Sequence, residues 1–260
     1  MKKYGLIGYP LTHSFSEKYF TEKFEREKIE DTSYSLITME NINDFPKLVK
    51  NNPDLKGVNV TIPHKINVIP FMDELSKEAK GVGAVNCIKI LVEHSVTDLM
   101  MGELSTLKSK KLIGYNTDAY GFETSITPFI KPHHKNALIL GNGGAAKAIQ
   151  YVLKKLNIPF KLVSRNAKKG MLSYDQLSKK TLTEYQIILN TTPLGTYPNV
   201  GECPNIPYQH LTDKHLLYDL VYNPAETLFL QKGKEQGATI KNGADMLVLQ
   251  AEKSWEIWNK

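Results

Sequence analysis

The chain has 260 residues, of which 41% are hydrophobic and 23% are charged, a balance that excludes a disordered protein and allows one large domain or two of ordinary size. No apolar run approaches the roughly 18 residues of a membrane span, and the first one ends at Gly8, too short for a signal peptide, so we expect no membrane partner. The net charge of +6 comes from scattered basic residues without an aromatic-basic motif, and two cysteines provide no disulfide framework, so we expect a cytoplasmic protein without a nucleic-acid partner.

The N-terminal half alternates predicted strands with predicted helices. Thr12 to Ser16 is a polar connection in which Ser16 is placed to cap a helix, and a further helical segment is predicted to run to about Lys80. Residues 57–63 alternate apolar and polar side chains, a clear strand signal. The polar stretch 92–111 has no dominant period and is predicted as an extended hairpin or loop. The predicted strands are 4–7, 33–37, 58–62, 85–90 and 112–115, with a short helix near 45–49.

A glycine-rich turn joins a predicted strand at 137–140 to a predicted helix, and the rest of the chain is organised around it. Gly141, Gly143 and Ala146 match the Gly-x-Gly-x-x-Gly/Ala fingerprint of a dinucleotide fold. The first glycine allows the tight turn, the second lets the backbone approach a pyrophosphate, and the small third residue lets the helix pack on the strand. Free N–H groups at the helix start favour phosphate charge. Plain turns share this pattern, but the flanking elements favour a nucleotide site.

The next predicted strand, at 160–164, is followed by the residues that choose the cofactor. An acid at this position bonds the ribose hydroxyl of NAD, whereas an arginine accommodates the 2′-phosphate of NADP. The chain has Arg165, then Lys168 and Lys169, and no acid between residues 160 and 172. A guanidinium holds a phosphate with a bidentate fork. We therefore predict that the cofactor is NADP. The plainer alternative is that these basic residues only form a surface turn.

The C-terminal part continues the alternation of strands and helices. Continuous apolar runs at 187–189 and 216–221 are typical of parallel strands covered on both faces. Residues 191–195 follow the first run, where open α/β sheets place ligand loops. Helices are predicted at about 121–129, from Leu228 to before Gly237, and at about 245–258. The whole pattern predicts an α/β architecture.

Two charged residues follow predicted strands, at positions that favour ligand loops in α/β folds. They are Lys65 and Asp118. A lysine and an aspartate near one substrate oxygen can move a proton, and the cation stabilises developing alkoxide charge, so the pair suits reduction of a ketone beside a nicotinamide. Each polar candidate also has a plainer explanation as a solvated lysine, a turn residue, a helix cap or a water-facing side chain. The other polar candidates are Ser14, Ser16, Asn86 and Gln250.

The chain resembles shikimate dehydrogenases over nearly its whole length. Six or more segments appear in the family's order, which is far more specific than any one of them. Three departures stand out: Ser164-Arg165-Asn166 replaces the usual Asn-Arg-Thr, Cys87 stands where threonine is common, and the stretch 92–111 is longer than the usual turn. Arg165 is kept, so NADP stays favoured. The matching segments are 4–10 with 13–16, 59–65, 83–86, 116–121, 141–146, 219–224, and Gly243 with 246–251.

The resemblance implies reversible NADPH-dependent reduction of 3-dehydroshikimate to shikimate, in aromatic amino-acid biosynthesis, with Lys65 as acid/base beside Asp118 and without a metal. It implies that four hydroxyls lie near the substrate carboxylate and that four other side chains hold the ring hydroxyls and carbonyl. The first group is Ser14, Ser16, Thr61 and Tyr222, and the second is Lys65, Asn86, Asp118 and Gln250. The implied cofactor residues are Gly141, Asn142, Gly143, Gly144 and Ala145 for the pyrophosphate, Ser164, Arg165, Asn166 and Lys169 for the 2′-phosphate, and Leu220 and Gly243 for the nicotinamide side.

The resemblance also implies the domain organisation. Residues 1–118 are expected to form an α/β substrate domain, with the helix 243–260 packing back on it, and residues 119–242 a Rossmann-like NADP-binding domain, with the active site in the cleft between them. We expect a monomer or homodimer. Two alternatives stay open: a quinate/shikimate dehydrogenase using NAD, and a dinucleotide-binding regulator without activity. The presence of Lys65 and Asp118 argues against the second.

Overall fold

The computed structural model describes residues 1–11, 14–93 and 109–260. They form two compact units: the first unit comprises Met1–Thr117 and Ala251–Lys260, and the second unit comprises Asp118–Gln250. Within the described ranges, no helix is both long and apolar enough to cross a membrane. Each unit contains one sheet with helices connecting its strands, which confirms the predicted α/β fold class.

The sheet of the first unit is mixed. Its strand order is β2-β1-β3-β5-β6-β4, with β1 parallel to β2 and β3, β4 parallel to β6, and β5 antiparallel to both of its neighbours. Strand β1, which lies between β2 and β3, ends in a run of five buried residues, as expected for a strand paired on both sides. The strands are β1 (Lys2–Gly8), β2 (Thr32–Thr38), β3 (Leu55–Val60), β4 (Glu74–Leu75), β5 (Cys87–Glu93) and β6 (Ser109–Tyr115).

In the described part of the first unit, helices α1 (Phe15–Arg26), α2 (Phe45–Asn51) and α3 (Lys77–Val82) lie between these strands. The helical segment predicted to run to about Lys80 is confirmed by α3, which ends at Val82. Between Pro63 and α3 the chain makes turns, the 3-10 turn Ile69–Phe71 and strand β4. Pro70 lies inside this segment, and a proline removes a donor from an α-helical ladder and clashes with the preceding turn.

The edges of the predicted hairpin at 92–111 lie in β5 and β6, which pair antiparallel as far as Glu93 and Ser109. Residues 94–108 of that prediction lie outside the described residues, as do Thr12 and His13 of the polar connection before α1. The strand predicted at 85–90 begins two residues later, at Cys87, and the Asn86 N–H before it donates to the Tyr115 carbonyl at the end of β6.

The sheet of the second unit is parallel throughout, with strand order β11-β10-β9-β7-β8. Its three central strands are buried along their whole length, as their continuous apolar runs predict. The short edge strand β11 was not predicted, because three half-buried residues leave no periodic signal. The strands are β7 (Ala137–Leu140), β8 (Phe160–Val163), β9 (Ile187–Asn190), β10 (Leu216–Asp219) and β11 (Thr239–Lys241).

From residue 109 onward, the helices are α4 (Thr117–Ile126), α5 (Gly144–Lys155), α6 (Lys179–Glu184), α7 (Leu228–Glu235) and α8 (Ala244–Asn259). The unit boundaries fall inside α4 and α8. Helix α4 begins earlier than predicted, so Thr117 and Asp118 lie in its first turn rather than in a loop before it. The side chain of Asn86 accepts from the Thr117 N–H at 2.6 Å and so satisfies one of the unpaired groups at this helix start.

The end of α8 belongs to the core of the first unit. The indole of Trp258 stacks on Tyr4 with ring centroids 4.8 Å apart, and its Nε1 donates to the Ile88 carbonyl at 3.0 Å. Gly57 on β3 has no side chain because the ring occupies that space: a Cβ at this position would lie 2.3 Å from Trp258. The last turns of the helix are therefore fitted into the sheet of the first unit.

Candidate functional site

The glycine turn after β7 has the geometry that the fingerprint predicts. Gly141 has a φ of +106°, and a Cβ there would lie 2.8 Å from Thr191 Oγ1, so both the backbone conformation and the space require glycine. A Cβ on Gly143 or Gly144 would meet nothing within 4 Å. The backbone in front of α5 is therefore open on the side where a ligand would approach.

Helix α5 begins directly at this open turn. Its N-cap is Gly143, which has no side chain to satisfy the first N–H groups, and its first turn contains no acidic residue. The helix has twelve residues, of which Ala146, Ala148, Ile149, Val152 and Leu153 are buried. Partial positive charge at its N-terminus and unsatisfied N–H groups are the features that bind a phosphate.

A cavity of about 540 Å³ lies within the second unit at the carboxyl ends of β7, β8 and β9. Five of the predicted cofactor residues line it. This volume is within the usual range for a small-molecule site. The predicted residues on its wall are Gly141, Asn142, Gly143, Ser164 and Arg165, whereas Gly144, Ala145, Asn166, Lys169, Leu220 and Gly243 are not among its lining residues.

The loop after β8 brings a cation to this cavity. Arg165 is exposed and lines the wall together with Tyr174. Burial raises the pKa of the Tyr174 phenol, and the nearby Arg165 charge opposes that rise. The Ser164 N–H donates to the Leu172 carbonyl at 3.0 Å, and Ser164 Oγ accepts from the Asn166 N–H at 3.3 Å, so the loop is tied back at its base. The arrangement suits a phosphate that protrudes from a nucleotide bound in the cavity.

The cavity has further lining residues that were not among the predicted site residues. The loop after β9 had been recognised as a ligand position, but its side chains were not assigned, and the other three residues follow no motif that the sequence shows. These lining residues are Thr191, Thr192, Pro193, Leu194, Tyr174, Cys203 and Asn205.

Leu220 and Gly243, predicted on the nicotinamide side, lie against each other. A Cβ on Gly243 would lie 2.3 Å from the Leu220 carbonyl oxygen, and the Gly243 N–H donates to the Val221 carbonyl at 3.3 Å. Tyr222, which follows this contact, is 43% exposed. The two loops after β10 and β11 are thus held together by backbone packing that only glycine permits.

In the first unit, the segment after β3 is fixed by its backbone. The Thr61 N–H donates to Ile7 at 2.8 Å, and the Lys65 carbonyl accepts from the Val85 N–H at 2.8 Å. Ser14 accepts from the Ser16 N–H at 3.1 Å and is the N-cap of α1. The plainer explanation as a helix cap is therefore confirmed for Ser14, whereas the cap placed at Ser16 was wrong. Ser16 itself lies buried in the first turn. The side chain of Lys65 is partly exposed.

Asn86 is buried and is held against the start of α4. Its Nδ2 donates to Thr117 Oγ1 at 3.1 Å, and its Oδ1 accepts from the Thr117 N–H. Asp118 follows Thr117 in the same turn. In the second unit, Gln250 Nε2 donates to the Leu247 carbonyl at 3.1 Å. The structure thus places Ser14, Ser16, Thr61, Lys65 and Asn86 in the first unit and Asp118, Tyr222 and Gln250 in the second.

The family model and the sequence relatives identify the same family. Residues 6–88 match the family described as shikimate dehydrogenase substrate binding domain. A shikimate dehydrogenase (NADP(+)) of Clostridium beijerinckii is 40% identical over 270 residues, covering 100% of this chain and 93% of the relative.

Two solved structures extend the likeness to the fold. A shikimate dehydrogenase in complex with NADP+ is 30% identical with a TM-score of 0.80, covering 99% of this chain and 89% of that one. Shikimate 5-dehydrogenase of Thermus thermophilus, in complex with NADP(H) and shikimate, is 25% identical with a TM-score of 0.79, covering 99% and 93%. Full-length similarity above 30% identity, together with the glycine turn and its cavity, shows that the chain belongs to the shikimate dehydrogenase family.

Proposed function

We propose that the protein reduces 3-dehydroshikimate reversibly to shikimate with NADPH. The observation that carries this is the cavity of the second unit, where the glycine turn, the open start of α5 and Arg165 lie together in a chain of this family. The open backbone at Gly143 and Gly144 and the cavity volume fit a dinucleotide. The cation on its wall supports NADP rather than NAD.

The substrate would be held by polar residues of both units. Hydroxyl groups donate to carboxylate oxygens, which supports a role for Ser14, Ser16, Thr61 and Tyr222 near the substrate carboxylate. The ring hydroxyls and the carbonyl would be bound by Lys65, Asn86, Asp118 and Gln250. Asn86 holds the start of the helix that carries Asp118, so its own position is well defined.

The proton is supplied by the protein. NADPH delivers a hydride to the carbonyl carbon, and the carbonyl oxygen then carries negative charge. The Lys65 ammonium donates a proton to that oxygen, and Asp118 orients the amine and shares the proton. In the reverse direction Lys65 accepts the proton from the substrate hydroxyl. A positioned general acid of this kind typically contributes about 10²- to 10⁴-fold to the rate.

The direct test is an absorbance assay at the nicotinamide band with shikimate or quinate and with NADP or NAD. The expected result is reduction of NADP with shikimate at the highest kcat/KM of the four combinations. A higher kcat/KM with quinate and NAD would favour the dual-specificity alternative. No turnover with any pair, together with measurable NADPH binding, would favour a regulator without activity.

The remaining aspects of the organisation are also proposals. We propose that the second unit is the NADP-binding domain and the first unit the substrate domain, because the glycine turn and the cavity lie wholly within the second. We propose a monomer or homodimer without a nucleic-acid partner, which gel filtration in the presence and absence of nucleic acid tests. A cytoplasmic location is supported by Cys87 and Cys203, which are free thiols.

A further inference from the structure

A buried carboxylate links the two loops that follow β9 and β10. Asp219 is the last residue of β10 and is fully buried. Its Oδ1 accepts from Asn190 Nδ2 at 2.9 Å and from the Val221 N–H at 3.0 Å. Its Oδ2 accepts from Thr227 Oγ1 at 2.6 Å. The carboxylate is therefore bonded to three separate parts of the second unit.

Asn190 carries the first of these connections to the next loop. It is the last residue of β9 and is also fully buried. Its Oδ1 accepts from the Thr192 N–H at 3.0 Å and from Thr192 Oγ1 at 2.6 Å. Because a backbone N–H can only donate, the Asn190 oxygen must face Thr192, and its NH₂ group must face Asp219. The orientation of the amide is thus determined at both ends.

Thr192 brings this chain of hydrogen bonds to the cavity. Thr191 and Thr192 line the wall, and a Cβ on Gly141 would lie 3.0 Å from Thr192 Cγ2, so this loop packs against the glycine turn. The second connection of Asp219, to the Val221 N–H, holds the loop whose Leu220 backbone packs on Gly243. The Asp219 carboxylate therefore fixes the position of two loops of the proposed cofactor site, the Thr191–Thr192 loop and the Leu220 loop.

We propose that Asp219 is a positioning residue for cofactor binding, acting through Asn190 on the Thr191–Thr192 wall and through the Val221 N–H on the Leu220 loop. The inference rests on the proposed NADP-binding function of the cavity. Asp219 touches neither the cavity nor the glycine turn, and it acts through Oδ1. Burial raises the pKa of this carboxyl to about 6 against the effect of its hydrogen bonds, so keeping it ionised at neutral pH opposes folding. A buried carboxylate whose ionisation opposes folding is more readily explained by a role in function than by a role in stability.

The test compares two substitutions of Asp219 in the full chain. Asp219→Asn keeps an oxygen for Asn190 and Val221, and its new NH₂ group can donate to Thr227 Oγ1. Asp219→Ala removes every acceptor and leaves buried donors unpaired. Titration of NADPH fluorescence should show a Kd increased about tenfold or more in D219A and within about twofold of the unmodified protein in D219N. At saturating NADP, the shikimate KM should rise by a smaller factor than the NADPH Kd in D219A, because Tyr222 follows Val221, and by no more than about twofold in D219N.

A second set of variants tests whether Asp219 acts through its hydrogen bond to Asn190. Asn190→Ala should also raise the NADPH Kd about tenfold, and the double variant D219A/N190A should fall well short of the product of the two single effects because the residues share one network. The exposed Asp213 of the same unit provides a matched control, and D213A should bind NADPH normally. If circular dichroism shows that D219A is unfolded, D219N and N190A decide the question.

Three outcomes separate the possibilities. Unchanged NADPH affinity in D219A, or in N190A where D219A does not fold, overturns the inference while the proposed function stands. Equal loss in D219N and D219A also overturns it, because the oxygen acceptor would then not be the feature that matters. An unmodified protein that binds no NADPH overturns the proposed function and this inference with it.

Discussion

Arg165 is the residue whose removal should change cofactor choice. It is an exposed guanidinium on the cavity wall, so a contact with the 2′-phosphate is partly screened by water. Hydrogen bonds to charged groups contribute about 1.5–3 kcal/mol, and exposure places this one near the lower end. A loss of about 1.5 kcal/mol corresponds to a roughly tenfold increase in the KM for NADP. The KM for NAD, which lacks the phosphate, should change by no more than about twofold.

The assay is steady-state kinetics of Arg165→Ala with both cofactors at low and high salt. Lys154→Ala is the matched control, since Lys154 is an exposed cation in the last turn of α5, at the opposite end of the helix from the glycine turn. Arg165→Lys keeps the charge and loses the bidentate fork, so its KM for NADP should lie between those of R165A and the unmodified protein. Equal kcat/KM for NADP and NAD in the unmodified protein, or an equal effect of R165A on both, would refute the reasoning.

Three further predictions follow from the first unit. Lys65→Ala should lower kcat by about 10²- to 10⁴-fold with a much smaller change in shikimate KM; a normal kcat in a folded variant would exclude Lys65 from the chemistry. Ser16→Ala should raise the KM for shikimate and leave the KM for NADP unchanged. Ser14→Ala should do the same and should also lower the free energy of unfolding by about 1 kcal/mol, because it removes the cap of α1. If both variants lose only stability, neither serine binds substrate. Gly57→Ala should destabilise by about 1–3 kcal/mol, measured by urea unfolding, because its Cβ would meet Trp258 at 2.3 Å.

Glycine substitution has an internal control. Gly201 has open space around it, with nothing within 4 Å of the position that a Cβ would take and no positive φ, so Gly201→Ala should leave the free energy of unfolding nearly unchanged. Similar losses at Gly57 and Gly201 would contradict the reasoning, because the contact with the indole exists only at Gly57 and the lower unfolded-state entropy of alanine favours the folded protein at both positions.

The parts of the molecule that were predictable are those in which a short segment determines its own geometry. The apolar runs of β7 and β9 and the turn at Gly141 contain all the information for a buried parallel strand and its glycine-rich connection. Arg165 was predicted at the cofactor site because it follows directly after β8, where the sheet opens. In each case the signal and the structure lie within the same few residues.

The parts that were not predictable depend on partners distant in the chain. Helix α4 begins at Thr117 because Asn86, far away in sequence, accepts from its N–H. Tyr174 and Cys203 reach the cavity through the course of two irregular loops, and their residue types carry no spacing signal. The residue at which α3 begins was not predicted, because Pro70 and the pairing of β4 with β6 keep the segment before it out of an α-helix.

The division of α8 between the two units bears on the order in which this protein is synthesised and folds. Residues 251–260 belong to the first unit, although the whole of the second unit precedes them along the chain. During translation the sheet of the first unit therefore emerges long before the Trp258 ring that fills the space over Gly57. We expect a nascent chain ending near Thr117 to remain protease-sensitive, and a fragment of residues 1–117 to need the peptide 251–260 added in trans before it becomes resistant.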